Sequence, residues 1–133
     1  MTEKLNNVYI KETALTAGFL EKEGPLGKYF DKTYKDFNIG KSLEQSEVEL
    51  SKDALNILLK KTNKTMKDIG LIIGGDLLNQ ISATSYAIEE TNIPFLGLFS
   101  ACATSVESLI IASKFIETKT IKKVWKDCYI SIE

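Results

Sequence analysis

Residues 69–75 read Ile69-Gly70-Leu71-Ile72-Ile73-Gly74-Gly75, a short apolar run bounded by glycines. Continuous apolar runs of this length are typical of parallel strands that are covered on both faces. A second run of the same kind, Phe95-Leu96-Gly97-Leu98-Phe99, follows after a stretch long enough for one helix. Two such runs around a helical stretch predict a βαβ unit with a right-handed crossover, and therefore a parallel sheet.

Helical patterns precede and follow both runs. The first begins at Ser42, where Ser42 and Gln45 form a capping box, and ends near Asn63. A second covers Ile81 to Ile88, and a third runs from about Thr104 to Ile116. Since the third is apolar on most of its circumference, it is typical of a helix in the middle of a fold. The alternation predicts an α/β fold with a parallel-rich mixed sheet and a buried central helix.

Polar side chains follow both predicted strands at the points where the strands end. Because the carboxyl ends of neighbouring parallel strands open on the same edge of a sheet, we expect these side chains to share one site. The first set is Asp76, Asn79 and Gln80, and the second is Ser100, Cys102, Thr104 and Ser105.

Cys102 is the most reactive group in these sets. A cysteine at a helix N-terminus lies near the positive end of the helix dipole and near free N–H groups, which favour a thiolate and also bind carboxylates. The alternative is a small buried hydrophobe between Ala101 and Ala103. Asp76 has an alternative as a helix cap, and Asn79 and Gln80 as simple surface amides.

Composition excludes several functional classes. The 133 residues suffice for one globular domain, with 44 % hydrophobic and 26 % charged residues. The net charge of -1 and the absence of arginine argue against nucleic-acid binding. The absence of histidine excludes, within these residues, a Ser-His-Asp triad, a Cys-His pair and an imidazole metal site.

The compartment is predicted from what the residues lack. Met1 to Asn7 has no apolar core of a signal peptide, and no apolar run reaches the roughly 20 residues of a spanning helix. Cys102 and Cys128 are too few for a disulfide framework. We therefore expect a cytoplasmic protein, or one held peripherally at a membrane by a partner. Residues 8–15 are a further candidate strand.

Five motifs, in this order and spacing, resemble the stage V sporulation protein AD family, which has the thiolase-like fold. The resemblance covers nearly all of residues 10–118, and the run from Gly75 to Gln80 is specific to this family. The motifs are Gly24-Pro-Leu-Gly, Phe30-Asp-Lys-Thr-Tyr34, Gly75-Asp-Leu-Leu-Asn-Gln80, Ile93-Pro-Phe-Leu96 and Ala101-Cys-Ala-Thr-Ser105.

The resemblance implies a role in spore formation. Members of the family bind dipicolinic acid, as the calcium chelate, and help carry it into the developing spore with other stage V sporulation A membrane proteins. By motif, Cys102 falls on the thiolase nucleophile position, and Asp76, Asn79 and Gln80 face the same pocket, with Thr104 and Ser105 as further ligand-binding positions. The resemblance implies no enzyme activity, no cofactor and no resident metal, localisation in the cytoplasm or at the spore inner membrane, and a homodimer for the full-length family.

The chain also departs from the family. Residues 1–120 correspond to a partial N-terminal thiolase-like domain, and the charged tail 121–133 is atypical and reads as a poor strand. Shifting the frame by one base at Trp125 restores a glycine and a family-like continuation, so we hypothesise a frameshift near residue 120. On that hypothesis the strand after the third helix is lost, one helix face is left uncovered, and the product tends to aggregate.

Two alternatives to dipicolinate binding follow from the same residues. One is a thiolase-like or ketoacyl-synthase-like acyltransferase with Cys102 as the acyl acceptor, which needs a base that this chain lacks. The other is a truncated fragment without function.

Overall fold

A three-stranded parallel sheet with helices on both faces forms the centre of the computed structural model, which describes residues 4–6, 8–36 and 39–126. A smaller two-stranded parallel ribbon lies in the N-terminal part. The strands are β1 Thr16–Ala17, β2 Lys32–Thr33, β3 Leu71–Gly74, β4 Phe95–Gly97 and β5 Val124–Lys126. The α-helices are α1 Phe19–Glu23, α2 Leu43–Thr62, α3 Ser82–Ile88 and α4 Thr104–Glu117.

Strand β3 is the middle strand of the order β4-β3-β5, and both of its pairings are parallel. All four of its residues are buried, and Ile72 and Ile73 have no exposed surface. Since side chains alternate across a strand, Ile72 faces one helical layer and Ile73 faces the other. The predicted α/β fold and the predicted strand and helix positions on either side of β3 are confirmed.

Two apolar cores cover the two faces of the sheet. On one face, Ile72 packs with Leu55 of α2 and with Ala87 and Ile88 of α3. The core on the other face joins Ile73 and Leu71 to Ala112 of α4. The molecule therefore has three layers, with α2 and α3 on one side of the sheet and α4 on the other.

The ends of α2 confirm Ser42 and Asn63 as the caps, but only the Ser42 half of the predicted capping box is present. Ser42 is the N-cap, and its side chain accepts a hydrogen bond from the backbone N–H of Gln45 at 3.2 Å. The Gln45 side chain accepts from the N–H of Lys41 at 2.9 Å. Asn63 ends the helix in the left-handed conformation, with φ of 51°. These contacts satisfy backbone groups that the helix ends leave free.

One face of α4 is buried and the other is exposed. Thr104, Ser108 and Ala112 are buried against the sheet, whereas Val106 and Ile110 are 60 % and 55 % exposed. Leu109 also lies on the exposed face. Within the described residues α4 is therefore covered on one side only, and the predicted burial of this helix on most of its circumference is not observed.

The expectation that no strand follows the third helix is wrong. Strand β5 pairs with β3 in parallel register, Ile72 opposite Trp125, and the N–H of Gly70 donates to Lys123 O at 3.0 Å. Trp125 is 6 % exposed and belongs to the core around Ile72. A single large buried side chain supplies the apolar anchor here, while the flanking lysines remain at the edge of the sheet. Residues 127–133 of the tail lie outside the described residues.

The N-terminal segment is held to α2 by polar contacts. The predicted strand over residues 8–15 is wrong, because pairing begins only at Thr16. The Phe30–Tyr34 motif lies in this segment: Asp31 forms an ion pair with Lys61 at 2.6 Å, and Lys32 and Tyr34 both bond to Asp53. The Asp53 carboxylate raises the pKa of Lys32, and the Lys61 hydrogen bond lowers the pKa of Asp31. The side chains of this motif thus hold the N-terminal segment against α2.

Candidate functional site

The ends of β3 and β4 meet at one edge of the sheet, as predicted. The N–H of Leu98 donates to the carbonyl of Gly74 at 2.8 Å. Gly75 packs so tightly that a Cβ there would lie 1.9 Å from the carbonyl oxygen of Leu98. Glycine is therefore required at this crossing, because any side chain would push the two strand ends apart. The turn that carries Cys102 and the loop that begins at Asp76 leave the sheet at this same edge.

Asp76 is an internal brace at this edge. The residue is 2 % exposed. Its carboxylate accepts hydrogen bonds from the N–H of Leu78 at 2.8 Å, from the N–H of Thr84 at 2.7 Å and from the Thr84 hydroxyl at 2.8 Å. These bonds tie the loop to the first turn of α3. Asp76 therefore caps this helix, which is the alternative that the sequence analysis gave for it.

The loop after Asp76 contains two residues in the left-handed conformation. Gln80 has φ of 61° and Ile81 has φ of 56°. A left-handed conformation costs a non-glycine residue about 1–2 kcal/mol, and a β-branched residue such as Ile81 seldom adopts it. The loop presents Asn79 and Gln80 to solvent at its tip. The two amides are thus available to a ligand, while the Asp76 carboxylate is not.

Cys102 lies in a 3-10 turn, Ala101–Ala103, that leads directly into α4. The thiol is free and the residue is exposed. The interpretation of Cys102 as a small buried hydrophobe is therefore wrong. Ala101, the residue before it, has φ of 47°, a strained conformation for alanine. Cys128 lies outside the described residues.

The two hydroxyl residues after Cys102 differ in their surroundings. Thr104 is buried, and its Oγ1 accepts a hydrogen bond from the N–H of Ser100 at 3.0 Å. The Ser100 hydroxyl bonds in turn to the Glu107 carboxylate. Ser105 is half-buried and is the hydroxyl that a ligand reaches more easily. Thr104 therefore holds the turn, whereas Ser105 belongs to the open side of the site.

Lys126 is the functional candidate that sequence reasoning missed. It lies opposite Ile73 in the register of β5 and β3, so it reaches the same carboxyl edge of the sheet. Its ammonium Nζ donates to the Ser105 hydroxyl at 3.4 Å. The signal that would have found it is Trp125: once that side chain is accepted as a core residue, the parallel rule places Lys126 at the strand ends.

The edge combines groups that suit an anion. Lys126 supplies a positive charge and Ser105 a hydroxyl donor. The first turn of α4 has no side-chain cap, although the N–H of its first residue, Thr104, already donates to the carbonyl of Ala101. The positive end of the α4 helix dipole also lies here and favours an anion. Glu107 is the opposing charge, but its carboxylate is engaged by Ser100. In chemical terms, the arrangement can bind a carboxylate beside an exposed thiol.

A second carboxyl group lies behind the edge, on α2. Glu47 is half-buried, and its Oε2 is buried without a hydrogen-bond partner among the described residues. Burial, together with repulsion from Asp76 and Glu44, raises the pKa of Glu47.

Comparisons with known proteins identify the family of the chain. The family model for stage V sporulation protein AD matches residues 2–128. The chain is 42 % identical over 111 residues to the stage V sporulation protein AD of Bacillus subtilis (strain 168). That match covers 83 % of this chain and 33 % of the relative, so the chain spans about a third of the length of that protein.

Proposed function

This chain belongs to the stage V sporulation protein AD family, and from that premise we propose that it binds dipicolinic acid, as the calcium chelate, and assists its uptake into the developing spore. The observation that carries the proposal is the arrangement at the carboxyl edge of the sheet. There an exposed Cys102, the uncapped first turn of α4 and the Lys126 ammonium follow neighbouring strand ends.

The chemistry of the ligand fits these groups. Dipicolinate is a flat pyridine ring with two carboxylates, so its site needs donors for the carboxylates and an apolar surface for the ring. Lys126 and Ser105 supply donors, and the positive end of the α4 helix dipole favours a carboxylate beside them. Phe99, which is 62 % exposed just before the Cys102 turn, supplies an aromatic surface.

Asp76 has a supporting role in this proposal. A carboxylate facing a dianion would repel it, but the Asp76 carboxylate is buried and accepts three hydrogen bonds within the protein. It fixes the loop that presents Asn79 and Gln80. The ligand contacts are therefore assigned to Cys102, Ser105, Lys126 and the two amides, with Asp76 and Thr104 as positioning residues.

Location and partners are part of the same proposal. Every helix within the described residues is too short or too polar to cross a lipid bilayer. We propose that the protein acts in the cytoplasm or at the surface of the spore inner membrane, together with other stage V sporulation A membrane proteins. A homodimer is proposed for the full-length family.

Binding of dipicolinate to the folded 133-residue chain, with and without Ca²⁺, tests the proposal. Isothermal titration calorimetry on the unmodified chain is compared with Cys102→Ser and Lys126→Gln, and with Lys28→Gln as a control on an exposed lysine in the N-terminal segment. We expect both edge variants to weaken binding and the control to leave it unchanged. No binding by the folded chain, or equal affinity in all variants, would refute the assignment and favour a fragment without function.

A second candidate function is acyl transfer, favoured by the exposed Cys102 after the strained Ala101. In that reaction the Cys102 thiolate attacks the carbonyl of an acyl-CoA, the C–S bond to CoA breaks, and the CoA thiol leaves with a proton. Intact-protein mass spectrometry after incubation with acetyl-CoA separates the two functions. A Cys102-dependent mass increase of one acetyl group supports transfer, whereas an unchanged mass supports binding alone.

A further inference from the structure

A groove in the described surface lies between α2 and α3. It has a volume of about 480 Å³ and is open along its length. Its walls come from the first three turns of α2 and from α3, the two helices that pack on the opposite side of the sheet from α4. None of the residues proposed to contact dipicolinate lines this groove.

The groove carries an excess of negative charge. Glu44 and Glu49 of α2 and Glu89 at the end of α3 line it, against a single lysine, Lys52. Within the part of the chain that the structure describes, none of the three glutamates forms an ion pair with a lysine. The hydrogen bond from Ser42 lowers the pKa of Glu44, so that carboxylate stays ionised. The three carboxylates of the groove thus outnumber its one ammonium group.

A third feature adds to the negative charge behind the groove. Glu47, next along α2, has a buried carboxylate oxygen without a partner in the described residues. Burial raises its pKa, and so does repulsion from the Asp76 and Glu44 carboxylates. A protein surface that gathers like charges without counter-ions is destabilised by their repulsion, and a bound cationic group relieves it.

The floor and rim of the groove are partly apolar. Val48 lies at the floor, and Tyr86 of α3, which is 63 % exposed, forms part of the wall. An exposed tyrosine offers its ring face to an aliphatic or cationic side chain and its hydroxyl to solvent. Apolar contact in the centre with charge at the rim is the usual anatomy of a protein docking site.

We propose that the α2–α3 groove docks a basic segment of a partner protein, an amphipathic helix that places aliphatic side chains against Val48 and Tyr86 and lysine or arginine side chains against Glu44, Glu49 and Glu89. Helix-in-groove recognition of this kind reads side chains on one face of the incoming helix. The proposal does not depend on dipicolinate binding, since it uses the opposite side of the sheet.

Charge complementarity decides the chemical class of the partner. An anionic lipid surface, a nucleic acid or an acidic peptide would be repelled by the three carboxylates. Free Mg²⁺ or Ca²⁺ is the remaining competitor, and it would not be sensitive to Tyr86.

The test is fluorescence anisotropy on the 133-residue chain, with a labelled synthetic amphipathic peptide rich in lysine and leucine as the probe. A glutamate–leucine peptide of the same length is the matched negative probe. We expect the basic peptide alone to bind, and the double variant Glu49→Lys/Glu89→Lys to bind it at least about tenfold more weakly. Circular dichroism confirms that the variant is folded.

Two controls separate the groove from general charge. The double variant Glu12→Lys/Glu23→Lys makes the same change in net charge on exposed residues outside the groove, and we expect less than about a twofold effect. Tyr86→Ser is expected to weaken binding of the basic peptide but not binding of Ca²⁺. Equal losses in both double variants, no binding by the unmodified chain, or indifference to Tyr86→Ser would each overturn the proposal.

Discussion

The Asp76 carboxylate and Thr84 are joined by two hydrogen bonds, from the Thr84 N–H at 2.7 Å and from its hydroxyl at 2.8 Å, and both residues are buried. Through this pair, Asp76, the second residue after β3, fixes the start of α3, eight positions further along the chain. The strained Gln80 and Ile81 lie between the two partners. The pair therefore holds the loop whose tip carries the exposed amides.

Replacing Asp76 by asparagine is expected to destabilise the fold by about 3 kcal/mol, because an amide cannot accept all three hydrogen bonds and its NH₂ group opposes the Thr84 donors. Thr84→Val removes only the hydroxyl bond and is expected to cost about 1 kcal/mol. Urea unfolding of both variants measures these differences.

Dipicolinate titration of the same variants distinguishes a brace from a ligand contact. If Asp76 acts through the loop, Thr84→Val weakens binding as well, in proportion to its smaller loss of stability. If Asp76→Asn abolishes dipicolinate binding but leaves the stability of the fold unchanged, Asp76 does not act by holding the loop. Its carboxylate would then contact the ligand.

The parallel sheet and its three helices could be predicted from the sequence because their signals are local. Apolar runs between glycines, capping residues at Ser42 and Asn63, and helical spacing all act within a few residues of the chain. The predicted meeting of the Asp76 and Cys102 segments followed from the rule that parallel strands open on one edge.

The rest depended on long-range packing, which no local pattern reports. Whether Val124 to Lys126 becomes a strand depends on a place for Trp125 in the core, and that place is created by Leu55 and Ile72. The orientation of the Asp76 carboxylate depends on Thr84, which reaches it only after the loop has turned back. Lys126 entered the site only as a consequence of the first of these contacts.

Glu47 is expected to make stability fall as the pH rises. Its pKa is raised above the ordinary value of 4.5, so the folded state binds the Glu47 proton more tightly than the unfolded state does. The stabilisation from this group is therefore complete below the unfolded pKa and is lost as the pH rises through the folded pKa. Glu47→Gln should be the more stable protein at about pH 7, with the difference vanishing near about pH 4.

Glu44→Gln is the matched comparison on the same helix. The Ser42 hydrogen bond lowers the pKa of Glu44, so its contribution is present above the unfolded pKa and is lost as the pH falls. The two variants should differ in sign at neutral pH in thermal unfolding. A Glu47→Gln variant that is less stable than the parent at neutral pH would show that the buried oxygen has a partner.

The exposed stripe of α4 is expected to drive self-association. Val106, Leu109 and Ile110 are 60 %, 40 % and 55 % exposed, and together they form a contiguous apolar surface on a helix. The double variant Val106→Ser/Ile110→Ser should reduce association in sedimentation velocity while changing stability by no more than about 1 kcal/mol.

A buried position on the same helix provides the control for that experiment. Ala112 is buried against the sheet, so the substitution Ala112→Ser places a polar group in the core. We expect it to lower the stability of the fold without reducing self-association. If Val106→Ser/Ile110→Ser leaves self-association unchanged, the surface that drives it lies elsewhere, for example at Tyr9 and Ile10, which are also exposed.

Trp125 is expected to be essential for the fold, although it lies in the charged tail. It is 6 % exposed and packs in one core with Leu55 and Ile72, and its strand pairs with β3 along three residues. Trp125→Ala leaves a large cavity beneath α2 and α3 and should cost about 3–5 kcal/mol, a substantial part of the stability of a domain of this size. Lys126→Ala, next to it, should leave the unfolding midpoint nearly unchanged, because its ammonium makes a single long hydrogen bond. Equal stability of Trp125→Ala and the unmodified chain in urea would mean that residues 124–126 do not form the third strand, and it would remove Lys126 from the candidate site as well.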